Sequence, residues 1–187
     1  VLASALAMDK AVSKRLFAAA GVRTPVSITV RRDAGAEQAA SDALSAVGLP
    51  CVVKPSCQGS TVGIGFVTHR DELAPALEGA FGYGPTALVE QFVTGTEVTV
   101  AILESPVSGL AEALPVLEIV VNSDHYDYDA KYTPGKSDHI IPARISAAAD
   151  EECRRLGIAA HTCLGCRGYS RVDAIVDASG KPWVLEV

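Results

Sequence analysis

The feature that most restricts the fold lies at the end of the chain. Ser170-Arg171-Val172-Asp173-Ala174-Ile175-Val176-Asp177 and Pro182-Trp183-Val184-Leu185-Glu186-Val187 read as two strands joined by Ala178-Ser179-Gly180-Lys181. Apolar, β-branched runs separated by a Ser-Gly turn form an antiparallel hairpin. A turn of Ser179-Gly180, or of all four residues, gives one register: Asp177 faces Pro182 and Asp173 faces Glu186. A three-residue turn would break that pairing. Alternation then predicts Arg171, Asp173 and Glu186 on one face, with Val172, Ala174, Val176, Trp183 and Leu185 on the other. Opposed carboxylates sit about 4.5–5.5 Å apart at Cβ and repel each other without a counter-ion. Two readings fit. Either a hard cation such as Mg2+ is held there with phosphate oxygens, or two solvated acids share an open sheet face.

A second feature is Lys54-Pro55-Ser56-Cys57-Gln58-Gly59-Ser60-Thr61-Val62-Gly63-Ile64-Gly65. Lys54 is at the end of an apolar strand, Cys51 to Pro55, which proline terminates because it has no N–H for the ladder. A lysine there must snorkel or find an anion. The glycines, hydroxyls and backbone N–H groups that follow suit either a phosphate cradle or a flexible hairpin loop. The Walker pattern is absent, since it requires lysine after the final glycine. Leu88-Val89-Glu90-Gln91-Phe92-Val93 is apolar enough to line an adenine slot, and Glu97 could accept from a ribose or be a surface strand residue. Tyr126-Asp127-Tyr128-Asp129-Ala130-Lys131-Tyr132 reads as a solvated loop or as a lid over an anionic substrate. The four histidines show no mutual spacing, and no Ser–His–Asp arrangement is present.

Between these features the chain alternates helix and strand. Helices are predicted over Met8–Ala20, Glu37–Val47, Asp71–Ala80 and Ala147–Leu164. Further strands are predicted over Ser27–Val30, Gly65–Thr68, Ala87–Phe92, Glu97–Leu103 and Leu114–Val121. This order gives two mixed lobes with a boundary near Glu90. A net charge of −6 and 5% aromatics argue against a nucleic-acid surface. No run approaches the roughly 20 apolar residues of a membrane span. Five cysteines lack disulfide-scaffold spacing, and Cys163-Leu164-Gly165-Cys166 has no second pair to complete a zinc site. They read as thiols of a reduced cytosolic protein. The chain begins at Val1 and stops inside an apolar run, so it reads as a piece of a longer protein.

Taken in order, Met8-Asp9-Lys10, Val53-Lys54-Pro55-Ser56, Gly59-Ser60-Thr61-Val62-Gly63, Val89-Glu90-Gln91-Phe92, Gly95-Thr96-Glu97, Tyr126 to Tyr132, Gly168 to Asp173 and Leu185-Glu186-Val187 resemble the D-alanine–D-alanine ligase family of the ATP-grasp superfamily. Eight segments in register span the chain. The resemblance implies an α+β, ATP-grasp fold: two mixed α/β lobes with the nucleotide held between them. Residues 1–90 would form the central lobe and 91–187 the catalytic lobe, with a loop over about 122–138 and the metal hairpin over 170–187. The family's N-terminal domain, and the segment that follows the glutamate, would lie outside this chain.

The same resemblance implies roles. Lys10 and Lys54 would contact ATP, Lys54 on its phosphates, with Ser60 and Thr61 in the glycine-rich loop. Glu90 and the backbone of Gln91 and Val93 would meet adenine, Glu97 the ribose, and Lys131 the terminal phosphates. Asp173 and Glu186 would hold Mg2+, or Mn2+ in its place. Arg171 would neutralise the oxyanion of a tetrahedral intermediate, and Ser60 and Tyr132 would meet over the substrates. The implied reaction joins two D-alanines through a D-alanyl phosphate for peptidoglycan synthesis. The implied setting is the bacterial cytoplasm, as a homodimer, without nucleic-acid or membrane partners. Asp129-Ala130-Lys131-Tyr132 favours D-alanine over D-lactate as second substrate. The alternatives are another ATP-grasp carboxylate–amine ligase and a non-catalytic nucleotide-binding module.

Overall fold

The computed structural model describes residues 1–59, 62–121 and 137–187. The expectations for Ser60, Thr61, Lys131, Tyr132 and the loop around them lie outside the described residues. The described chain forms two compact units. One comprises Met8–Ala11 and Pro25–Phe92; the other comprises Val1–Ala7, Val12–Thr24 and Val93–Val187. The helix expected over Met8–Ala20 is present as α2 (Lys10–Ala19), and a separate, unexpected helix, α1 (Leu2–Met8), precedes it. The break falls at Asp9, whose carboxylate accepts the Ala11 N–H at 3.0 Å. An aspartate in that place caps the orphan donors of a new helix.

In the unit containing residues 25–92, β1 (Ser27–Arg31), β4 (Thr86–Gln91), β2 (Cys51–Pro55) and β3 (Gly65–Val67) form an antiparallel sheet in that order. Val53 and Val89 point to one face, where α3 (Ala36–Ala46) and α4 (Leu73–Phe81) bring Ala39, Ala43, Leu73 and Leu77 into a core with Val30 and Val67. Period-two alternation leaves Val52, Lys54, Leu88 and Glu90 on the opposite face.

The other unit holds a larger antiparallel sheet in the order β10 (Pro182–Glu186), β9 (Tyr169–Asp177), β5 (Gly95–Glu104), β7 (Leu117–Val121), β8 (Ser137–Ile140), with β6 (Ala111–Ala113) also paired to β5. Val98, Val100 and Ile102 of β5, Val172, Ala174 and Val176 of β9, and Val184 of β10 pack against α5 (Ala147–Cys163) through Leu156 and Ala160, and against Phe17. Ser146 caps α5 by accepting from Ala149 N–H at 3.2 Å. The segment after α2 runs beside β10, where Val184 N–H donates to the Arg23 carbonyl at 2.9 Å. That contact explains why residues 12–24 belong with the C-terminal half.

The terminal hairpin forms with a different turn. The Asp177 N–H donates to the Lys181 carbonyl at 3.0 Å and the Gly180 N–H to the Asp177 carbonyl at 2.8 Å. This closes a three-residue turn, with Gly180 at φ 82 supplying the left-handed conformation. Pro182 therefore pairs with Val176, Trp183 with Ile175 and Val184 with Ala174, one residue from the expected register. The register then shifts between Val184 and Glu186, and Asp173 faces Glu186 after all. Leu185 is the extra residue of a β-bulge, which absorbs the slip that a three-residue turn introduces. Two expectations are corrected by this. Val184, rather than Trp183 and Leu185, enters the core. Trp183 lies on the acid-bearing face and donates its indole N–H to Asp177 at 2.8 Å.

Asp177 also accepts from the Ser179 hydroxyl (2.6 Å), the Ser179 N–H (2.8 Å) and the Lys181 N–H (3.0 Å). These donors, the Ser179 hydroxyl first and then the indole, hold its carboxyl well below the usual carboxylate range. A depressed carboxylate stabilises the fold above its unfolded value, roughly pH 4, and loses that contribution as the pH falls further. Acid titration by circular dichroism should therefore show a stability advantage of the parent over Asp177→Asn that shrinks steadily below about pH 4. At this same end of the β5–β9 ladder, where Gly95 pairs with Asp177, a Cβ on Gly95 would lie 2.1 Å from the Val176 carbonyl oxygen and 2.7 Å from its carbon. Backbone atoms cannot swing aside, so Gly95→Ala should cost about 3 kcal/mol in urea denaturation, the upper end of overpacking.

Candidate functional site

Two polar faces concentrate the predicted residues, one in each unit. In the smaller sheet, Lys54 Nζ meets Glu90 Oε1 at 2.8 Å, with the residues only 8% and 3% exposed. Lys54 is opposite Leu88 and Val52 is opposite Glu90, so lysine and glutamate are diagonal neighbours on one face. The anion that Lys54 requires is thus partly supplied from within the sheet. Phe66 lies on the same face, opposite Val52, and packs edge-to-face on Phe92 with ring centroids 5.9 Å apart. At the exit from β2, Ser56 donates its hydroxyl to Asp9 at 2.6 Å, and its carbonyl accepts the Lys10 N–H at 2.9 Å. The Lys10 ammonium donates to the Gln58 carbonyl. Lys10 is therefore fastened to the first residues of the glycine-rich loop. Gln91 ends β4 and Phe92 follows it, with Gln91 N–H donating to the Val26 carbonyl at 2.8 Å and Phe92 N–H to the Pro50 carbonyl at 3.1 Å.

In the larger sheet the polar face carries Glu97 and Thr99 on β5, Arg171 and Asp173 on β9, and Glu186 on β10. Asp173 is 8% exposed. Thr99 lies directly opposite it and donates its hydroxyl to Oδ1 at 2.7 Å, while Arg171 donates to Oδ2 at 2.8 Å. Glu97 is half-buried opposite Ile175, next along the strand from Thr99 on this face. Val93 precedes β5 and is half-buried. Sequence reasoning brings Arg171, Asp173 and Glu186 together as the structure does, but it misses Thr99, Ser56 and Phe66. The alternation Glu97-Val98-Thr99-Val100 carries the signal for Thr99. Using it requires knowing that β5, some 70 residues away along the chain, is the neighbour of β9.

Among the described residues no group of three or more His, Cys, Asp or Glu side chains is placed to share a metal ion. Cys163 and Cys166 are half-buried against the core, and burial pushes both thiols up. Cys153 is pushed up to about 12, again by burial first. All three pack in or against the core of the larger unit.

Residues 16–187 match the family described as D-ala D-ala ligase C-terminus. The chain is 49% identical to the D-alanine–D-alanine ligase of Pelotomaculum thermopropionicum over its whole length, which is 59% of that relative. The chain belongs to the D-alanine–D-alanine ligase family. Its fold superposes on the VanG D-Ala:D-Ser ligase of Enterococcus faecalis with a TM-score of 0.81 at 35% identity, covering 99% of this chain and 53% of that one. It superposes on the ATP-complexed D-alanine–D-alanine ligase of Bacillus anthracis with a TM-score of 0.77 at 29% identity, covering 99% and 56%. The chain thus spans somewhat over half the length of the relatives it matches. Its fold class is the α+β, ATP-grasp architecture of these ligases.

Within this ligase-family unit the buried Lys54–Glu90 pair sets a coupling test. Removing Lys54 takes this buried counter-charge from Glu90, so Lys54→Met should cost about 3–5 kcal/mol, whereas an apolar pair can be close to neutral. A double-mutant cycle with Glu90→Leu, read by urea denaturation, should recover most of the single-mutant loss.

Proposed function

We propose that this protein is an ATP-dependent ligase that joins two D-alanines into D-alanyl-D-alanine for peptidoglycan precursors. The observation that carries the reading is Asp173 facing Glu186, beside Arg171, on the polar sheet face of a chain from this family. ATP as phosphoryl donor is supported by the ATP complex of the Bacillus anthracis relative.

In this reading Lys10 and Lys54 contact ATP, with Lys54 on its phosphates. One of the three Lys54 N–H bonds goes to Glu90, and the other two can donate to phosphate oxygens. Glu90, with the Gln91 and Val93 backbone, meets adenine, and Glu97 accepts from the ribose. The donor set on β9 and β10 fits Mg2+, or Mn2+: its oxygens are hard, and one bond each from Thr99 and Arg171 leaves acceptor positions on both Asp173 oxygens. The ion, when bound, supplies positive charge against the terminal phosphates.

A D-alanine carboxylate oxygen attacks the γ-phosphorus, the bond to the β-phosphate oxygen breaks, and ADP leaves. The amine of the second D-alanine, having shed its proton, adds to the carbonyl carbon of the acyl phosphate. Arg171 stands against the oxyanion that forms, and phosphate departs as the amide is completed. Little covalent chemistry falls to the protein, so positioning and charge carry most of the rate. Ser60, Thr61, Lys131 and Tyr132, outside the described residues, take the roles given by the family resemblance, as do the homodimer and the bacterial cytoplasm. Among the described residues no helix is long and apolar enough to cross a membrane.

The test is phosphate release by the full-length protein with ATP and Mg2+, with and without D-alanine, followed by mass spectrometry. D-Alanine-dependent release and a D-alanyl-D-alanine product are expected. Release indifferent to D-alanine would leave a nucleotide-binding module. A product formed only with D-serine or D-lactate would move the protein to another specificity.

A further inference from the structure

We infer that Thr99 is a positioning residue that fixes Asp173 for cation binding, an inference that rests on the metal reading above. Thr99 is 8% exposed in the middle of β5, where Val98 and Val100 on either side face the core. At a buried strand position valine has the same shape and the same preference for extended backbone. The hydroxyl is thus a burden unless it makes a hydrogen bond. It has one proton and two acceptors within reach: Asp173 Oδ1 at 2.7 Å and the Val172 carbonyl at 3.4 Å. The shorter bond takes it.

The partner on the other oxygen cannot do this alone. Arg171 is on the same strand as Asp173, two residues away, and its side chain is 66% exposed on a long flexible stem. Thr99 instead approaches from the neighbouring strand, on a β-branched side chain with restricted χ1. It fixes the carboxylate plane, so that Asp173 presents its remaining acceptor positions in a constant direction beside Glu186. Outer-shell hydrogen bonds of this kind typically change metal affinity by about 10–100-fold.

The experiment uses the full-length protein with Mn2+ as the probe, titrated by electron paramagnetic resonance in the presence of a non-hydrolysable ATP analogue. Thr99→Val should raise the Mn2+ Kd by about 10–100-fold. Thr99→Ser keeps the hydroxyl and should stay near the parent, and Thr99→Ala should weaken binding as valine does. Metal-free unfolding is followed in parallel. A Mn2+ Kd for Thr99→Val within twofold of the parent, with or without lost stability, would assign Thr99 to the sheet alone and overturn the inference. So would serine weakening binding as much as valine, because packing would then be the cause. A parent that binds no Mn2+ beside the analogue would instead bring down the metal reading itself.

Discussion

The pairing of β5 with β9 is the constraint on which the larger unit depends. Its register, from Gly95 opposite Asp177 to Leu103 opposite Tyr169, settles two things at once. It drives Val98, Val100, Ile102, Val172, Ala174 and Val176 together on the core side. It also aligns Glu97, Thr99, Arg171 and Asp173 on the other side. A slip of one residue would exchange the faces, burying the acids among apolar side chains. Core packing therefore enforces the site's geometry, with the burial of six aliphatic side chains opposing any displacement of Asp173.

The hairpin that completes the site shows where local reasoning succeeds and where it stops. Alternation and the Ser-Gly turn identify both strands and correctly place Asp173 opposite Glu186. They do not reveal how that pairing arises, because two irregularities cancel: a three-residue turn shifts the register and the bulge at Leu185 shifts it back. Turn length depends on the Asp177 side chain accepting from Ser179, Lys181 and Trp183, a set of bonds that no hydrophobic pattern encodes. The cost of that ignorance falls on Trp183 and Val184, which exchange faces relative to expectation. The acids are unaffected.

Contacts distant in sequence account for the other differences. Lys54 reads as a buried cation seeking an anion, and Glu90 reads as a neighbour of a base. Only the β2–β4 pairing makes them diagonal partners. Likewise, the helix over Lys10–Ala19 follows from its apolar stripe, but the preceding helix over Leu2–Met8 and the break at Asp9 do not. The break is stabilised by Ser56, which lies far along the chain and holds the Asp9 carboxylate. Strand existence, helix type and the acid pair follow from period and composition, whereas the choice of partner strand does not.

The two sheets solve a common problem in different ways. Each has a core face and a polar face, and each polar face buries charge that desolvation would otherwise make costly. In the smaller sheet the charge is neutralised internally, cation against anion, at Lys54 and Glu90. In the larger sheet two acids are brought together with one arginine, and that arginine's side chain is two-thirds exposed. There Asp173 is held by Thr99 and Arg171, and Thr99 contributes a dipole but no charge. A face built this way is electrostatically suited to receiving positive charge from outside the chain. The lysine face is suited to sharing its ammonium with a second anion.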